Sequence, residues 1–136
     1  VIKERIYFMN EKIKEIRQDT QKAEDFFTKR LAYTLGPVEL KNFMEKGGVK
    51  VVDVRLKADY DIAHIPGAIS IPKDELDKRL TELSKDEITI VYCYNQQCHL
   101  GDNACLILAE YGYPTMLMEG GFKVWVEDFR FATSQS

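Results

Sequence analysis

The stretch Ile88-Thr89-Ile90-Val91-Tyr92 is the most strand-like segment of the chain, and Cys93 follows it directly. Every residue in it is β-branched or aromatic, which favours a strand. A short, nearly uninterrupted apolar run of this kind is typical of a strand that is covered on both faces. We therefore predict the central strand of a sheet here, with Cys93 at its carboxyl end.

Strands and helices alternate on both sides of this segment. The other predicted strands cover residues 51–54, 68–71 and 115–118. The predicted helices cover residues 38–45, 57–63, 74–83 and 100–111, with a last helix after Gly120-Gly121. Such alternation predicts an α/β fold in which a central parallel sheet carries helices on both faces. Ligands of such sheets bind beyond the carboxyl ends of the strands, so the loop after the central strand is the candidate site.

The first thirty or so residues carry a different pattern. Apolar residues recur at steps of four and three, then continue after a polar position: Ile2, Ile6, Met9, Ile13, Ile16, Ala23 and Phe27. This spacing predicts one long amphipathic helix, straight or bent, over residues 2–31 or so, and hence a helical extension (1–31) before a domain (32–136). The apolar stripe must be covered. Its cover is either its own domain or a second copy in a homodimer, because the spacing over residues 2–16 is close to heptad.

The composition excludes several classes of protein. The chain has 136 residues, of which 45% are apolar and 30% charged, the balance of one ordinary globular domain. No apolar run approaches the ~20 residues that span a bilayer, and no secretory signal is recognisable. The net charge of −3 argues against a nucleic-acid partner. The mixed acids and bases of the N-terminal helix argue against a membrane surface.

The three cysteines are an odd number and too few for a disulfide scaffold, which favours a reducing, cytoplasmic location. Cys93 is the candidate nucleophile, because the sheet would hold its backbone while its thiol faces the crevice. The loop that follows leads to a helix N-terminus, whose unpaired N–H groups form an anion-binding cradle. A cradle of this kind lowers a thiol pKa below its usual value of about 8.5 and favours the reactive thiolate. The alternative is a buried structural cysteine.

Four segments resemble the rhodanese family. Residues 51–55 (Val-Val-Asp-Val-Arg) and 60–71, with an aromatic residue followed by His-Ile-Pro-Gly-Ala, resemble its signature. Val91-Tyr92-Cys93 resembles the strand that ends in the family's active cysteine, and residues 118–125 resemble its closing Glu-Gly-Gly segment with a tryptophan. The landmarks occur in the family's order over residues 32–130.

This resemblance implies a three-layer rhodanese-like fold and sulfur transfer. The Cys93 thiolate would take sulfane sulfur from a small donor and hold it as a persulfide, which a thiol, another small nucleophile or a protein would then accept. The implied site consists of Cys93 and a loop whose backbone amides stabilise anionic sulfur. The loop residues are Tyr94, Asn95, Gln96, Gln97, Cys98 and His99. The resemblance implies no cofactor.

Three further residues of the matched segments are predicted to support the site. Asp53 and Arg55 bracket a strand end, where we expect a buried ion pair that satisfies backbone groups and holds the loop. His64 precedes a turn shaped by Pro66-Gly67. It is either a hydrogen-bonded structural residue or a proton carrier. Trp125 is predicted to belong to the core.

The active-site loop departs from the family pattern. It has no basic residue before His99 and is about two residues longer than usual. A neutral loop attracts a dianion such as thiosulfate less, so a persulfide, a polysulfide or a protein donor fits better. Cys98 resembles the second loop cysteine of one rhodanese subgroup. It could resolve a persulfide or sulfenic acid on Cys93 by forming a disulfide, act as the reacting thiol itself, or be incidental.

Three alternative functions differ in the residues that they require. Cys93, Cys98 and His99 could ligate zinc, but a structural site needs four ligands and no second pair is present, so no metal is predicted. Cysteine-dependent phosphatases and arsenate reductases need an arginine where this chain has His99. A non-catalytic rhodanese-like regulatory or protein-binding module is the main alternative. Such modules usually lack the cysteine that is present here.

Overall fold

The structure, a computed structural model, describes residues 10–136, which belong to two compact units with a boundary between Ala32 and Tyr33. The helices are α1 (Glu11–Gln18), α2 (Thr20–Tyr33), α3 (Pro37–Lys46), α4 (Lys57–Ile62), α5 (Leu100–Glu110) and α6 (Gly121–Lys123). The strands are β1 (Thr34–Leu35), β2 (Val49–Asp53), β3 (Ile69–Ser70), β4 (Ile88–Tyr92) and β5 (Thr115–Met118). Two 3₁₀ helices, Lys73–Lys78 and Leu80–Glu82, and a π-helical turn, Val124–Asp128, complete the structure.

The N-terminal unit contains two helices where the sequence predicted one. The break lies at Asp19, whose ψ of 87° is not helical. Its carboxylate accepts a hydrogen bond from the backbone N–H of Lys22 at 3.0 Å and so caps the start of α2. In its described part, the predicted helix over residues 2–31 is therefore interrupted at Asp19, where a capping residue breaks the helix. Residues 2–9 lie outside the described part of the chain.

The second unit is built on a parallel five-stranded sheet in the order β1-β5-β4-β2-β3. The predicted central strand β4 lies in the middle, paired with β2 from Val49↔Ile88 to Asp53↔Tyr92 and with β5 on its other side. The predicted parallel sheet with covering helices is confirmed. The carboxyl ends of β2 and β4 are therefore neighbours, and Cys93 lies at that edge.

Successive residues of the central strands face opposite sides of the sheet and enter two separate cores. One core includes Leu40, Val51, Ile90, Tyr92 and Trp125. The other includes Val52, Leu76, Val91, Cys93, Ala104 and Leu108. Burial on both sides explains why the segment 88–92 is apolar at nearly every position. It also means that the side chain of Cys93 continues the alternation into the second core.

Two segments differ from the sequence prediction. The edge strand β1 was not predicted, because two residues carry no periodic signal and its geometry comes from pairing with β5 (Leu35↔Met118). The predicted helix over residues 74–83 is instead the pair of 3₁₀ helices, with a break at Arg79 (φ −121°). The leucines at steps of four and three determine which side faces the sheet, with Leu76 fully buried. They do not determine whether hydrogen bonds close at three residues or four.

Among the helices of residues 10–136, none is long and apolar enough to cross a membrane.

A buried hydroxyl in β4 provides a test of the packing. Thr89 is fully buried, and its Oγ1 has no hydrogen-bond partner among the described residues. Thr89→Val keeps the shape and removes the unsatisfied group, so we expect the free energy of unfolding to rise by about 1 kcal/mol. Urea unfolding followed by circular dichroism measures this change.

Thr115→Val is the matched control, because the Thr115 hydroxyl donates to the Thr89 carbonyl at 3.0 Å. This substitution removes a satisfied hydrogen bond and is expected to lower the free energy of unfolding by about 1 kcal/mol. Equal changes in the free energy of unfolding for the two substitutions would contradict the assignment of the Thr89 hydroxyl as unsatisfied.

Candidate active site

Cys93 occupies the position immediately after β4 and is 3% exposed. The first turn of α5 packs against its sulfur because Gly101 has no side chain. A Cβ atom on Gly101 would lie 3.4 Å from the Cys93 Sγ and 2.6 Å from the Leu117 Cδ1. The sulfur is therefore enclosed between the sheet edge and a helix N-terminus, where the sequence predicted a thiol that faces the crevice.

Backbone groups of the loop surround the thiol. The Cys93 Sγ donates to the carbonyl oxygen of Cys98 at 3.5 Å and to that of Asn95 at 3.9 Å. The backbone N–H groups of Gly101 and Asn95 act in the opposite direction and lower the pKa of this thiol. In this conformation the loop therefore presents both acceptors, which stabilise the thiol, and donors, which stabilise the thiolate.

The predicted lowering of the Cys93 pKa was wrong. Burial raises the pKa of this thiol to about 11, and the neighbouring Cys98 thiol raises it further, while the N–H groups of Gly101 and Asn95 lower it. Removing a sulfur anion from water costs more than two amide hydrogen bonds return. The enclosed cysteine is therefore a protonated thiol at neutral pH.

The polar side chains of the loop make hydrogen bonds that fix the conformation of the loop. Asn95 accepts a hydrogen bond from the backbone N–H of Gln97 at 3.0 Å, and its carbonyl oxygen accepts one from the N–H of Cys98 at 3.2 Å. The Gln96 Oε1 accepts from the N–H of Gly120 at 2.6 Å. These bonds form a tight turn that brings residue 98 back over Cys93.

The end of the loop leads directly into α5. His99 is exposed and immediately precedes the helix, where its carbonyl oxygen accepts the N–H of Asn103 at 2.9 Å. Gln97 is exposed as well. Among the six predicted loop residues, these two exposed side chains can face an incoming molecule.

Gly121 is a supporting residue whose role the sequence did not reveal. A Cβ atom there would lie 2.6 Å from the Asn95 nitrogen and 2.8 Å from the Cys93 carbonyl oxygen, so only glycine permits this approach. The N–H of Phe122 then donates to the Cys93 carbonyl oxygen at 2.8 Å, and that of Lys123 to Tyr94 at 3.0 Å. The paired glycines before the last helix were the available signal, but their partner is distant in sequence.

Tyr94 connects the start of the loop to the segment that follows β2. Its hydroxyl donates to the carboxylate of Asp59 and accepts the backbone N–H of Leu56 at 3.3 Å. Burial and then the bond to Asp59 raise the pKa of Tyr94, so the hydroxyl remains a donor at neutral pH. The first loop residue is thus anchored from outside the loop.

Asp53 and Arg55 form a buried ion pair next to the strand that carries Cys93. The Arg55 Nη2 lies 2.8 Å from the Asp53 Oδ2, and the side chains are 5% and 0% exposed respectively. The Tyr92 hydroxyl donates to the same oxygen at 2.6 Å and accepts the N–H of Ile65 at 3.0 Å. Arg55 also donates to the carbonyl oxygen of Ala63 at 2.7 Å. The network therefore joins β2, β4 and the segment that contains His64.

Arg55 also supports the last helix. Its guanidinium carbon lies 4.1 Å from the centre of the Phe122 ring, a cation–π contact. Phe122 in turn donates its backbone N–H to Cys93. The sequence located this pair at the strand end, but the aromatic contact became visible only in the folded chain.

His64 lies in a hydrogen-bonded turn. Its Nδ1 lies 2.8 Å from the carbonyl oxygen of Tyr60, and the two rings stack at 3.7 Å. Its backbone pairs with Ser134 in an antiparallel bridge. These contacts give the ring a structural role that needs no proton transfer.

The other two cysteines have different surroundings. Cys98 is half-buried, and its carbonyl oxygen accepts a hydrogen bond from the Cys93 Sγ at 3.5 Å. Cys105 lies within α5, where its sulfur contacts the Thr115 hydroxyl at 3.5 Å and the Met116 carbonyl oxygen at 3.8 Å. All three cysteines are free thiols. Cys98 therefore lies in the loop that covers Cys93, while Cys105 lies within α5.

The buried ion pair predicts a large effect of its disruption. Arg55→Met leaves the Asp53 carboxylate buried without its partner, so we expect the free energy of unfolding to fall by about 3–5 kcal/mol. Lys57→Met is the control, because its pair with Asp61 is 70% and 36% exposed and should contribute less than about 1 kcal/mol. Urea unfolding measures both, and similar losses would contradict the assigned burial.

The pKa of Cys93 predicts a steep pH dependence of its reactivity. With a pKa of about 11, the thiolate fraction rises about tenfold with each pH unit from about pH 7 to pH 10. We expect the rate at which iodoacetamide labels the Cys93 peptide, followed by mass spectrometry, to rise in the same proportion. The urea-unfolded chain should instead level off near pH 9, since its thiols have pKa values of about 8.5. A plateau near pH 8 in the folded protein would contradict the enclosed thiol.

Comparison with known proteins identifies the family. The sequence model of the family described as "Rhodanese-like domain" matches residues 36–128. The thiosulfate sulfurtransferase GlpE of Pseudomonas fluorescens is 30% identical over 100 residues, which are 73% of this chain and 90% of that protein. An HTH-type transcriptional regulator of Mycobacterium tuberculosis is 38% identical over 87 residues, 64% of this chain. This chain spans only 38% of the regulator's length.

Solved structures give the same result. The BH2092 protein of Bacillus halodurans superposes with a TM-score of 0.80 at 29% identity, covering 86% of this chain and 87% of that one. A thiosulfate sulfurtransferase of Pseudomonas aeruginosa superposes with a TM-score of 0.66 at 28% identity, covering 77% of this chain and 20% of that one. With the parallel sheet and the enclosed cysteine after its central strand, these matches show that the chain belongs to the rhodanese-like domain family.

Proposed function

We propose that this protein is a sulfurtransferase that carries sulfane sulfur as a persulfide on Cys93. The observation that carries the proposal is the position of Cys93 directly after the central strand, with its sulfur against Gly101 in the first turn of α5. Its relatives include a thiosulfate sulfurtransferase and a putative sulfur carrier protein.

The reaction consists of two nucleophilic displacements. The Cys93 thiolate attacks the outer sulfur of a donor and a sulfur–sulfur bond forms on Cys93. The bond within the donor breaks, and the remainder leaves as a thiolate from a persulfide or as sulfite from thiosulfate. An acceptor such as cyanide or a thiol then attacks the outer sulfur of the persulfide, and Cys93 leaves as thiolate. The amide N–H groups offset the negative charge on Cys93 at both stages. Because the thiol is 3% exposed, the loop must move aside for either partner to reach it.

The charge of the site favours a persulfide or polysulfide donor over thiosulfate. The loop side chains Asn95, Gln96 and Gln97 are neutral. The nearby cation of Arg55 is already paired with Asp53 at 2.8 Å. A sulfonate dianion therefore gains little from either source.

The cysteines bear on the cellular location of the protein and on its sulfur acceptor. Three free thiols are maintained in a reducing compartment, so we propose a cytoplasmic location and a thiol or protein acceptor. Pairing of two copies through the N-terminal helix stays a prediction.

A regulatory or protein-binding module is the second candidate. The raised pKa and low exposure of Cys93 favour it, because they slow nucleophilic attack. The sequence similarity to part of a transcriptional regulator fits such a role as well.

Intact and peptide mass spectrometry separates the two candidates. The reduced protein is mixed with glutathione persulfide or thiosulfate in parallel, and the reaction is quenched early with acid. We expect one added sulfur atom on the Cys93 peptide, removed by cyanide and absent in Cys93→Ser. The persulfide donor should react about tenfold faster than thiosulfate, the effect of one missing charge-assisted contact.

Cys105→Ser is the matched control for loss of a thiol and should accept sulfur like the wild type, because Cys105 packs within α5. No adduct from either donor would eliminate the transferase and support the binding module.

A further inference from the structure

The side chain of Gln96 ties the middle of the active-site loop to a distant segment of the domain. Its Oε1 accepts the backbone N–H of Gly120 at 2.6 Å. Other bonds of this part of the loop stay local, such as that from the Cys98 N–H to the Asn95 carbonyl oxygen at 3.2 Å. In the described part of the chain, no other side chain from Asn95 to Cys98 is hydrogen-bonded to a residue outside residues 93–99.

Both ends of the loop are held independently of this bond. At the start, the Tyr94 hydroxyl is bonded to Asp59, and the Tyr94 carbonyl oxygen accepts the N–H of Lys123 at 3.0 Å. At the end, the carbonyl oxygen of His99 accepts a hydrogen bond from the first turn of α5. The middle of the loop is therefore the part that can move away from Cys93.

The partner of Gln96 belongs to a turn that is fixed on the sheet. Gly120 follows β5 and has a φ of 86°, which favours glycine. The N–H of the preceding residue, Glu119, donates to the Leu35 carbonyl oxygen at 2.9 Å. The next residue, Gly121, approaches the Cys93 carbonyl oxygen so closely that no side chain fits there. The bond between Gln96 and this turn is therefore lost when the loop moves.

We propose that Gln96 is the latch of the active-site loop: its bond to Gly120 keeps the loop closed over Cys93, and its release admits the sulfur donor and the acceptor. As the regulation of the same site, this assignment rests on the proposed sulfurtransferase function. Gln96 is a positioning residue, because it acts through the loop and not on the reacting sulfur.

The strength of one hydrogen bond sets the size of the effect. Loss of a single bond between neutral groups changes an equilibrium about threefold to tenfold. Gln96 is exposed, so water solvates its amide once the bond to Gly120 is broken. The latch therefore favours the closed loop by a modest factor, and the loop opens without unfolding of β4 or α5.

Alkylation of Cys93 measures this opening without any sulfur chemistry. When opening is fast relative to alkylation, the rate at which iodoacetamide labels the buried thiol is proportional to the open fraction. At pH 8, followed on the Cys93 peptide by mass spectrometry, Gln96→Ala should be labelled about threefold to tenfold faster than the wild type. Gln97→Ala is the matched control and should be labelled at the wild-type rate. Gln97 is also exposed, and its hydrogen bond uses the backbone N–H alone.

Two further variants separate the acceptor from the bulk of the side chain. Gln96→Glu keeps an oxygen that can accept the Gly120 N–H, so its Cys93 should be labelled no faster than in the wild type. Gln96→Met has a similar length without a strong acceptor and should behave like Gln96→Ala. Amide hydrogen exchange of Gly120, measured by NMR, should be faster in the alanine and methionine variants and unchanged in the glutamate variant. Wild-type labelling and exchange in Gln96→Met would overturn the latch.

Cys105 provides an internal control for general loosening of the domain. Its sulfur packs within α5 against Thr115, away from the loop. Labelling of the Cys105 peptide should therefore be the same in the wild type and in all Gln96 variants. A parallel rise at both cysteines would overturn the latch, because it would show that the substitution loosens the domain as a whole.

Sulfur loading connects the latch with the proposed reaction. With glutathione persulfide as the donor, Gln96→Ala should gain sulfur on Cys93 faster than the wild type by the same factor as in alkylation, and Gln97→Ala should not. If no form of the protein gains sulfur while alkylation differs as expected, the sulfurtransferase proposal fails and the latch stands. If Gln96→Ala is alkylated at the wild-type rate, the latch is overturned whether or not sulfur is transferred.

Discussion

The buried carboxylate of Asp53 holds together the segments that surround the candidate nucleophile. It accepts hydrogen bonds from Arg55 and from the Tyr92 hydroxyl, the residue before Cys93. Arg55 continues to the Ala63 carbonyl oxygen and to the face of Phe122, whose backbone N–H bonds to the Cys93 carbonyl oxygen. A charge buried this deeply must keep all its partners, because an unpaired one costs several kcal/mol. Rigidity at the base of the loop follows from that constraint.

The loop that follows Cys93, residues 94–99, is held in a different way. From Asn95 to Cys98 its hydrogen bonds are mostly local, and Gln96 adds a single bond to Gly120, while Tyr94 at its start is anchored from outside the loop. Such a loop can open at moderate cost while the strand end stays in place. Burial, which raises the Cys93 pKa, keeps the thiol protonated and protected in the closed form. Reactivity is thus linked to opening, when water and the donor reach the sulfur and the desolvation penalty falls.

The neutral side chains of the loop bear on the donor of the proposed reaction. Asn95, Gln96 and Gln97 offer no charge clamp to a dianion, so the proposed transferase would favour persulfide and polysulfide donors. Under that proposal, the sulfur would stay on Cys93 until the loop opens and an acceptor reaches it.

The sequence by itself determined the parallel α/β architecture, the central strand 88–92 and the location of Cys93 at its end, because these follow from local composition and alternation. It also located Asp53 and Arg55 at a strand end. Only the tertiary structure decided the short edge strand β1, the fit of Gly121 against the loop and the raised pKa of Cys93. Each of these depends on residues that are distant in sequence and adjacent in space. Desolvation in particular is a property of the packed surroundings, and no motif around the cysteine encodes it.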